Sequence, residues 1–167
     1  MILIAAKTGL RICDIKNLKW NNIEWENNIF NIIQLKTKKS INVPFSNDVG
    51  EAIIDYIKNE RPFKIKNSND LIFIRYKYPF DKLSDAFNMH DVISRTAKKC
   101  NIDLSKYRKK GIHCFRFTLA TELLKNEVPL DIIVSTLGHC NPKSTNNYLK
   151  VDINHLKECF YEVDNYV

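Results

Sequence analysis

Two arginines, two histidines and a tyrosine stand outside the apolar stripes of this chain. Arg11 closes Thr8-Gly9-Leu10-Arg11, His113 and Arg116 bracket His113-Cys114-Phe115-Arg116, His139 follows Leu137-Gly138, and Tyr148 comes nine residues later. Such parts suit holding a phosphodiester and attacking it. Breaking that bond directly needs a nucleophile, stabilisation of charge on the phosphate oxygens and a proton for the departing sugar oxygen. Arginine offers a permanently charged planar fork that matches phosphate, so Arg11 and Arg116 could clamp both non-bridging oxygens. By analogy with removing one oxyanion donor, loss of either should cost roughly 10²–10³-fold in rate. A phenol suits the attack because the resulting aryl phosphate ester keeps the bond energy, so rejoining needs neither ATP nor a metal. Phenols titrate near about 10, so a base or cationic surround must ease deprotonation, and His113 and His139 are candidates. A lysine at a hairpin tip could protonate the 5′ oxygen.

These residues are distant in sequence, so a fold must collect them. Residues 2–8 read as the end of a buried helix, closed by Gly9 in the left-handed position. Ile12, Ile15 and Leu18 recur at helical spacing, which puts Arg11 at the first turn of a second helix beyond a tight corner. From Ile23 to Phe45, β-branched and aromatic residues are interrupted at Glu26-Asn27-Asn28 and Thr37-Lys38-Lys39-Ser40, predicting three short antiparallel strands with lysines at the second turn. Asp48 to Lys58 returns to helix, with Val49, Ala52, Ile53, Tyr56 and Ile57 on one face and Arg61-Pro62 at its end. Residues 62–80 suggest a long connection holding one extended segment, Leu71–Ile74. Further helices are expected over about 82–101, about 114–126 and from Pro129, with a short one after Asn141-Pro142 and an amphipathic one over 152–163. The fold class is mainly α with a small antiparallel β-sheet (α+β), in a single domain over residues 1–167.

With 167 residues and 44% apolar content the chain has material for one real core. Its net charge of +7 favours a polyanionic partner. The five cysteines, an odd number without close pairing, fit reduced thiols in a cytoplasmic protein better than a disulfide framework. The opening apolar run Met1–Ala6 is too short to span a bilayer and lacks a basic leader, so neither membrane insertion nor secretion is expected.

Five separated boxes in order, TGLR at 8–11 with Asp14 after it, QLKTKKSINVPF at 34–45, HCFR at 113–116, LGH at 137–139 and the tyrosine of STNNYLKV at 144–151, together resemble the catalytic domain of the tyrosine recombinases of phage-integrase type. The resemblance covers nearly the whole chain and implies site-specific cleavage and rejoining of double-stranded DNA. It implies that Arg11 and Arg116 bind the scissile phosphate and that Tyr148 attacks it to leave a 3′-phosphotyrosyl link. Lys36 would be the general acid, His113 would assist proton transfer from the tyrosine, and His139 would hydrogen-bond the phosphate. Asp14 would buttress the site. No cofactor or metal is implied. Lys36 lacks the flanking glycines often seen in this hairpin, so Lys38 or Lys39 could take its role if the turn register differs. Phe117 stands where the family often has histidine. Further helical sequence before TGLR and a separate core-binding domain are usual in the family, which makes the chain read as a truncated catalytic domain. Partners implied are duplex DNA and other protomers in a recombination tetramer, with the C-terminal tail docking on a neighbour, in the nucleoid-associated cytoplasm of a bacterium.

Plainer readings stand beside these. Either histidine could be structural, Arg11 could cap a helix or pair with Asp14, and the tail could fold on its own domain. His113-Cys114 and His139-Cys140 hint at zinc, but adjacent ligands point apart and no CxxC completes a tetrahedral set. Lys38, Lys39, Arg108, Lys109 and Lys110 are candidates for phosphate contacts that position a duplex without reading its bases. Two competing functions are a type IB topoisomerase-like enzyme and a DNA-binding integrase remnant that no longer cleaves.

Overall fold

A computed structural model describes residues 1–62, 70–84, 87–106 and 111–138. The first helix, α1 (Ile2–Thr8), buries Ile4, Ala5 and Thr8 and stops at Gly9, whose φ of 65° lets its N–H return to the Ala5 carbonyl. A side chain at Gly9 would also meet Leu137 Cδ2 at 2.8 Å and Leu119 Cδ2 at 3.0 Å. This glycine therefore closes one helix and admits two others. Arg11 follows as the extended N-cap of α2 (Ile12–Lys16) rather than inside its first turn, with its carbonyl accepting from the N–H groups of Asp14 and Ile15.

The expected three strands form as β1 (Ile23–Glu24), β2 (Ile29–Ile33) and β3 (Ser40–Pro44), antiparallel in that order. Phe30 lies opposite Val43 and Ile32 opposite Ile41, so alternation turns Phe30 and Ile32 inward. The Phe30 and Phe45 rings stack with centroids 4.3 Å apart. Helix α3 (Asn47–Asp55) lays Val49 and Ile53 on this layer, and its final turn, Tyr56–Glu60, widens before Arg61. The apolar segment Leu71–Ile74 is fully buried, held by Ile72 N–H on the Leu18 carbonyl and by Arg61 donating to the carbonyls of Leu71 and Ile72.

The helix expected from about residue 82 begins later, as α4 (Met89–Lys99). Two competitors take the earlier residues. Lys82 pairs with Ile74 in an antiparallel bridge, and the Ser84 carbonyl accepts a 2.6 Å bond from Lys16 Nζ. Asn88 then caps the helix through the His90 N–H at 3.0 Å. Two further helices match expectation, α5 (His113–Lys125) and α6 (Leu130–Leu137), the latter opening after Pro129 and ending at Gly138 with φ 65°. They share a small cluster of Ala120, Ile133 and Leu137. Among the described residues no helix is long and apolar enough to cross a membrane. Cys13, Cys100 and Cys114 are free thiols. The expected elements after residue 138 lie outside the described residues.

Candidate active site

The end of α6 gathers the site. A helix leaves its last carbonyls without partners and concentrates partial negative charge there, so cationic or amide donors are favoured at that end. Arg116, one face of α5 and only 7% exposed, donates through Nη2 to the Leu137 carbonyl and through Nη1 to the Gly9 carbonyl at 2.8 Å. It thus joins the C-terminal ends of α6 and α1. Arg11, from the corner between α1 and α2, donates through Nη2 to the Gly138 carbonyl at 3.4 Å. The two arginines, 105 positions apart in sequence, are therefore held on successive carbonyls of a single turn.

Neither arginine is neutralised by Asp14, which rules out the simple pairing of Arg11 with that carboxylate. Asp14 is buried, and its Oδ1 accepts the Leu35 N–H at 2.9 Å, tying α2 to the hairpin between β2 and β3. Two buried side-chain polar atoms have no hydrogen-bond partner among the described residues, Arg11 Nη1 and Asp14 Oδ2. Both belong to this corner.

Lys36 sits exposed in the hairpin turn, between Leu35, held by Asp14, and Thr37, whose hydroxyl donates to Gln34 Oε1 at 2.6 Å. Lys38 and Lys39 are exposed too. Lys38 adopts a φ of 57° while its N–H bonds the Gln34 carbonyl, and the Lys39 carbonyl accepts the Gln34 N–H. His113 begins α5, exposed and three residues before Arg116, so the helical repeat sets the two on neighbouring positions of one side. His139, Tyr148, Arg108, Lys109 and Lys110 lie outside the described residues.

Two contributors escaped the reading of sequence. Gln34 is completely buried and donates through Nε2 to the Leu137 carbonyl at 3.2 Å, the carbonyl that also receives Arg116. Its signal was positional: Gln34, one residue past β2, continues the alternation that turns Phe30 and Ile32 inward, and a buried amide must find partners. Lys16 is the other, a buried lysine whose ammonium lies 2.6 Å from the Ser84 carbonyl and 5.9 Å from the Phe87 ring centre, pinning the segment after Lys82 to α2. Beside Asp14, burial pushes the Cys13 thiol above its ordinary range, and the carboxylate's charge adds to the shift.

Among known proteins, this chain is 34% identical to the Sinorhizobium fredii protein named integrase/recombinase y4rA, over 94% of this chain and 36% of that one. It is 32% identical to the protein of the same organism named integrase/recombinase y4gC, over 94% of this chain and 78% of that one. The fold superposes on the XerH site-specific recombinase, in a crystal structure of its post-cleavage complex with a palindromic difH substrate, with a TM-score of 0.75 at 22% identity, over 95% of this chain and 43% of that one. The chain thus spans about a third of one relative, about three quarters of another and under half of the solved structure. The pattern of the phage integrase family matches residues 1–155, and with the corner of arginines just described, the chain belongs to the phage integrase family.

Proposed function

We propose that the chain is the catalytic domain of a site-specific DNA recombinase that cleaves and rejoins duplex DNA by transesterification through a 3′-phosphotyrosine. The observation that carries this reading is Arg11 Nη1, a buried donor left without a partner among the described residues, beside a second arginine held on the adjoining carbonyl. An unmet buried donor costs on the order of 1–3 kcal/mol, so a site that retains one is built to receive an acceptor. A phosphate oxygen is the acceptor that an arginine fork suits best. The names of the S. fredii relatives and of the XerH structure favour a recombinase over a topoisomerase.

In this reading Tyr148 Oη forms the new bond to phosphorus while the bond from phosphorus to the 5′ oxygen breaks. The phenolic proton passes to the His113 imidazole, and the Lys36 ammonium gives a proton to the departing 5′ oxygen. Arg11, Arg116 and His139 hold the non-bridging oxygens, with Asp14 bracing the hairpin behind Lys36. Reversal, with a 5′ hydroxyl from another strand as nucleophile, rejoins the DNA. Lys38, Lys39, Arg108, Lys109 and Lys110 contact flanking phosphates. The protein acts as a tetramer on DNA in the bacterial nucleoid, its C-terminal segment docked on a neighbour.

The test is covalent trapping on a pool of suicide duplexes nicked within a randomised segment. Wild-type chain is expected to form a covalent adduct, and Tyr148→Phe to form none. Arg116→Ala should lower the adduct rate at least 10²–10³-fold while weakening DNA binding only modestly, because one phosphate contact is a small share of the electrostatic total. Salt-sensitive binding with no adduct from the wild-type chain would instead identify a DNA-binding remnant.

A further inference from the structure

Gln34 has every hydrogen-bonding group engaged, and the engagements point in two directions. Its backbone closes the hairpin turn, with its N–H on the Lys39 carbonyl at 2.9 Å and its carbonyl accepting the Lys38 N–H at 2.8 Å. Its side-chain oxygen takes the Thr37 hydroxyl inside the same turn, while its side-chain nitrogen crosses to Leu137, 103 residues away. At that carbonyl it meets Arg116. The space for this crossing exists only because residue 138 is glycine: a Cβ there would lie 2.4 Å from Gln34 Nε2 and 2.6 Å from its Cδ. The amide therefore fills a slot between the turn bearing Lys36 and the helix end whose carbonyls receive both guanidinium groups.

We propose that Gln34 is a positioning residue, whose buried amide sets the Lys36 turn at a fixed place relative to Arg11 and Arg116. The inference rests on the recombinase reading above and extends it to a residue that touches no DNA. A glutamine is suited to the task because one amide is both donor and acceptor, so a single side chain can hold a helix carbonyl and a turn hydroxyl together. Placement matters because proton donation to the leaving oxygen depends on reach, and a shift of about 1 Å in a positioned group can cost about 10²-fold in rate.

The test uses a duplex recovered from the trapping pool, made with either oxygen or sulfur at the scissile 5′ position. A thiol titrates near about 8.5, far below an alcohol, so a sulfur leaving group departs without a general acid. Lys36→Ala is the reference variant, slow on oxygen and restored on sulfur. Gln34→Ala is expected to lose about 10²-fold on the oxygen duplex and to return to near the wild-type rate on the sulfur duplex. Equal loss on both duplexes would overturn the inference while leaving the recombinase reading intact. Absence of any adduct from the wild-type chain would overturn that reading instead. Amide hydrogen exchange provides a readout independent of cleavage: Gln34→Ala should speed exchange at Lys38 while α1 and α3 keep their protection. Unchanged exchange at Lys38 would overturn the inference, and lost protection in α1 would show a folding defect, calling for Gln34→Glu. Protonated at low pH, that isostere again donates to the Leu137 carbonyl and recovers the tie, whereas a Gln34→Glu protein whose Lys38 exchange ignores pH would count against it.

Discussion

The layer made by α1, α2, the sheet and α3 buries Ile4, Ile15, Phe30, Val49, Ile53 and Ile72 in one continuous cluster, whereas among the described residues α5 and α6 bury Ala120, Ile133 and Leu137 between them. The first region has the apolar area to hold itself together. The second is smaller among the described residues, and it is fastened to the first along α1, by the packing of Leu119 and Leu137 near Gly9 and of Phe115 on the larger cluster. Polar ties run along the same seam: Arg116 to the Gly9 carbonyl, Arg11 to Gly138, Gln34 to Leu137. The candidate catalytic groups thus also serve as fasteners between a strong core and a weak one. Stability and chemistry are coupled at the seam and separable away from it.

The sharpest way to break this comparison is to damage each core alone. Phe30→Ala removes a fully buried ring stacked on Phe45 and should cost about 3–5 kcal/mol, enough to unfold much of a marginally stable domain. Ile133→Ala removes an equally buried side chain, but its half-buried neighbours Leu123, Leu124 and Val128 can close in, so about 2 kcal/mol is expected. The two should differ in kind as well as size. Hydrogen exchange should show protection lost throughout the chain for Phe30→Ala and only in α5 and α6 for Ile133→Ala. Uniform loss in both would mean that the two clusters are one cooperative unit.

A smaller effect addresses the seam itself. Gly138→Ala forces a side chain into a left-handed backbone and against the Gln34 amide, for which about 1–3 kcal/mol is expected. Only part of that cost involves Gln34. In a double-mutant cycle by denaturant unfolding, Gly138→Ala should cost less when Gln34 is already alanine, leaving the backbone strain as the remainder. Full additivity would show that the amide and the glycine do not share the slot.

The same seam marks where sequence was legible and where it was not. The elements of the strong layer could be read because their signals are local: period-two alternation through Phe30 and Ile32, and helical spacing through Val49 and Ile53. Arg11, Arg116 and the lysine hairpin were legible as residue types at motif spacing, and the structure brings the two arginines to one turn of α6. Gln34 was not, because its value depends on Leu137, 103 positions away, and nothing nearby in sequence announces that partner. The start of α4 failed for a related reason. The stretch from Leu83 has helical spacing, but Lys16 claims the Ser84 carbonyl and Asn88 supplies a better cap, both tertiary or competing local bonds that periodicity does not weigh.

The mildest probe asks how tightly the strong side of the seam is closed. Alkylation proceeds through the thiolate, so a thiol pushed above its ordinary range reacts slowly near neutral pH. Cys13 is such a thiol, raised first by burial and then by the neighbouring Asp14 carboxylate, whereas Cys100 is exposed at the end of α4. With Cys114, Cys140 and Cys159 replaced by serine, mass spectrometry after timed iodoacetamide treatment should find Cys100 modified well before Cys13. Raising the pH through and beyond the usual thiol range near about 8.5 should speed Cys13 late, since its thiolate forms only above that range. Asp14→Asn removes the carboxylate's charge yet keeps an oxygen for the Leu35 N–H, so it should quicken Cys13 only partly, burial being the larger cause. A Cys13 that instead reacts as fast as Cys100 in the unmodified background would place frequent opening at the corner of Arg11, and the strong layer would then end before the seam rather than at it.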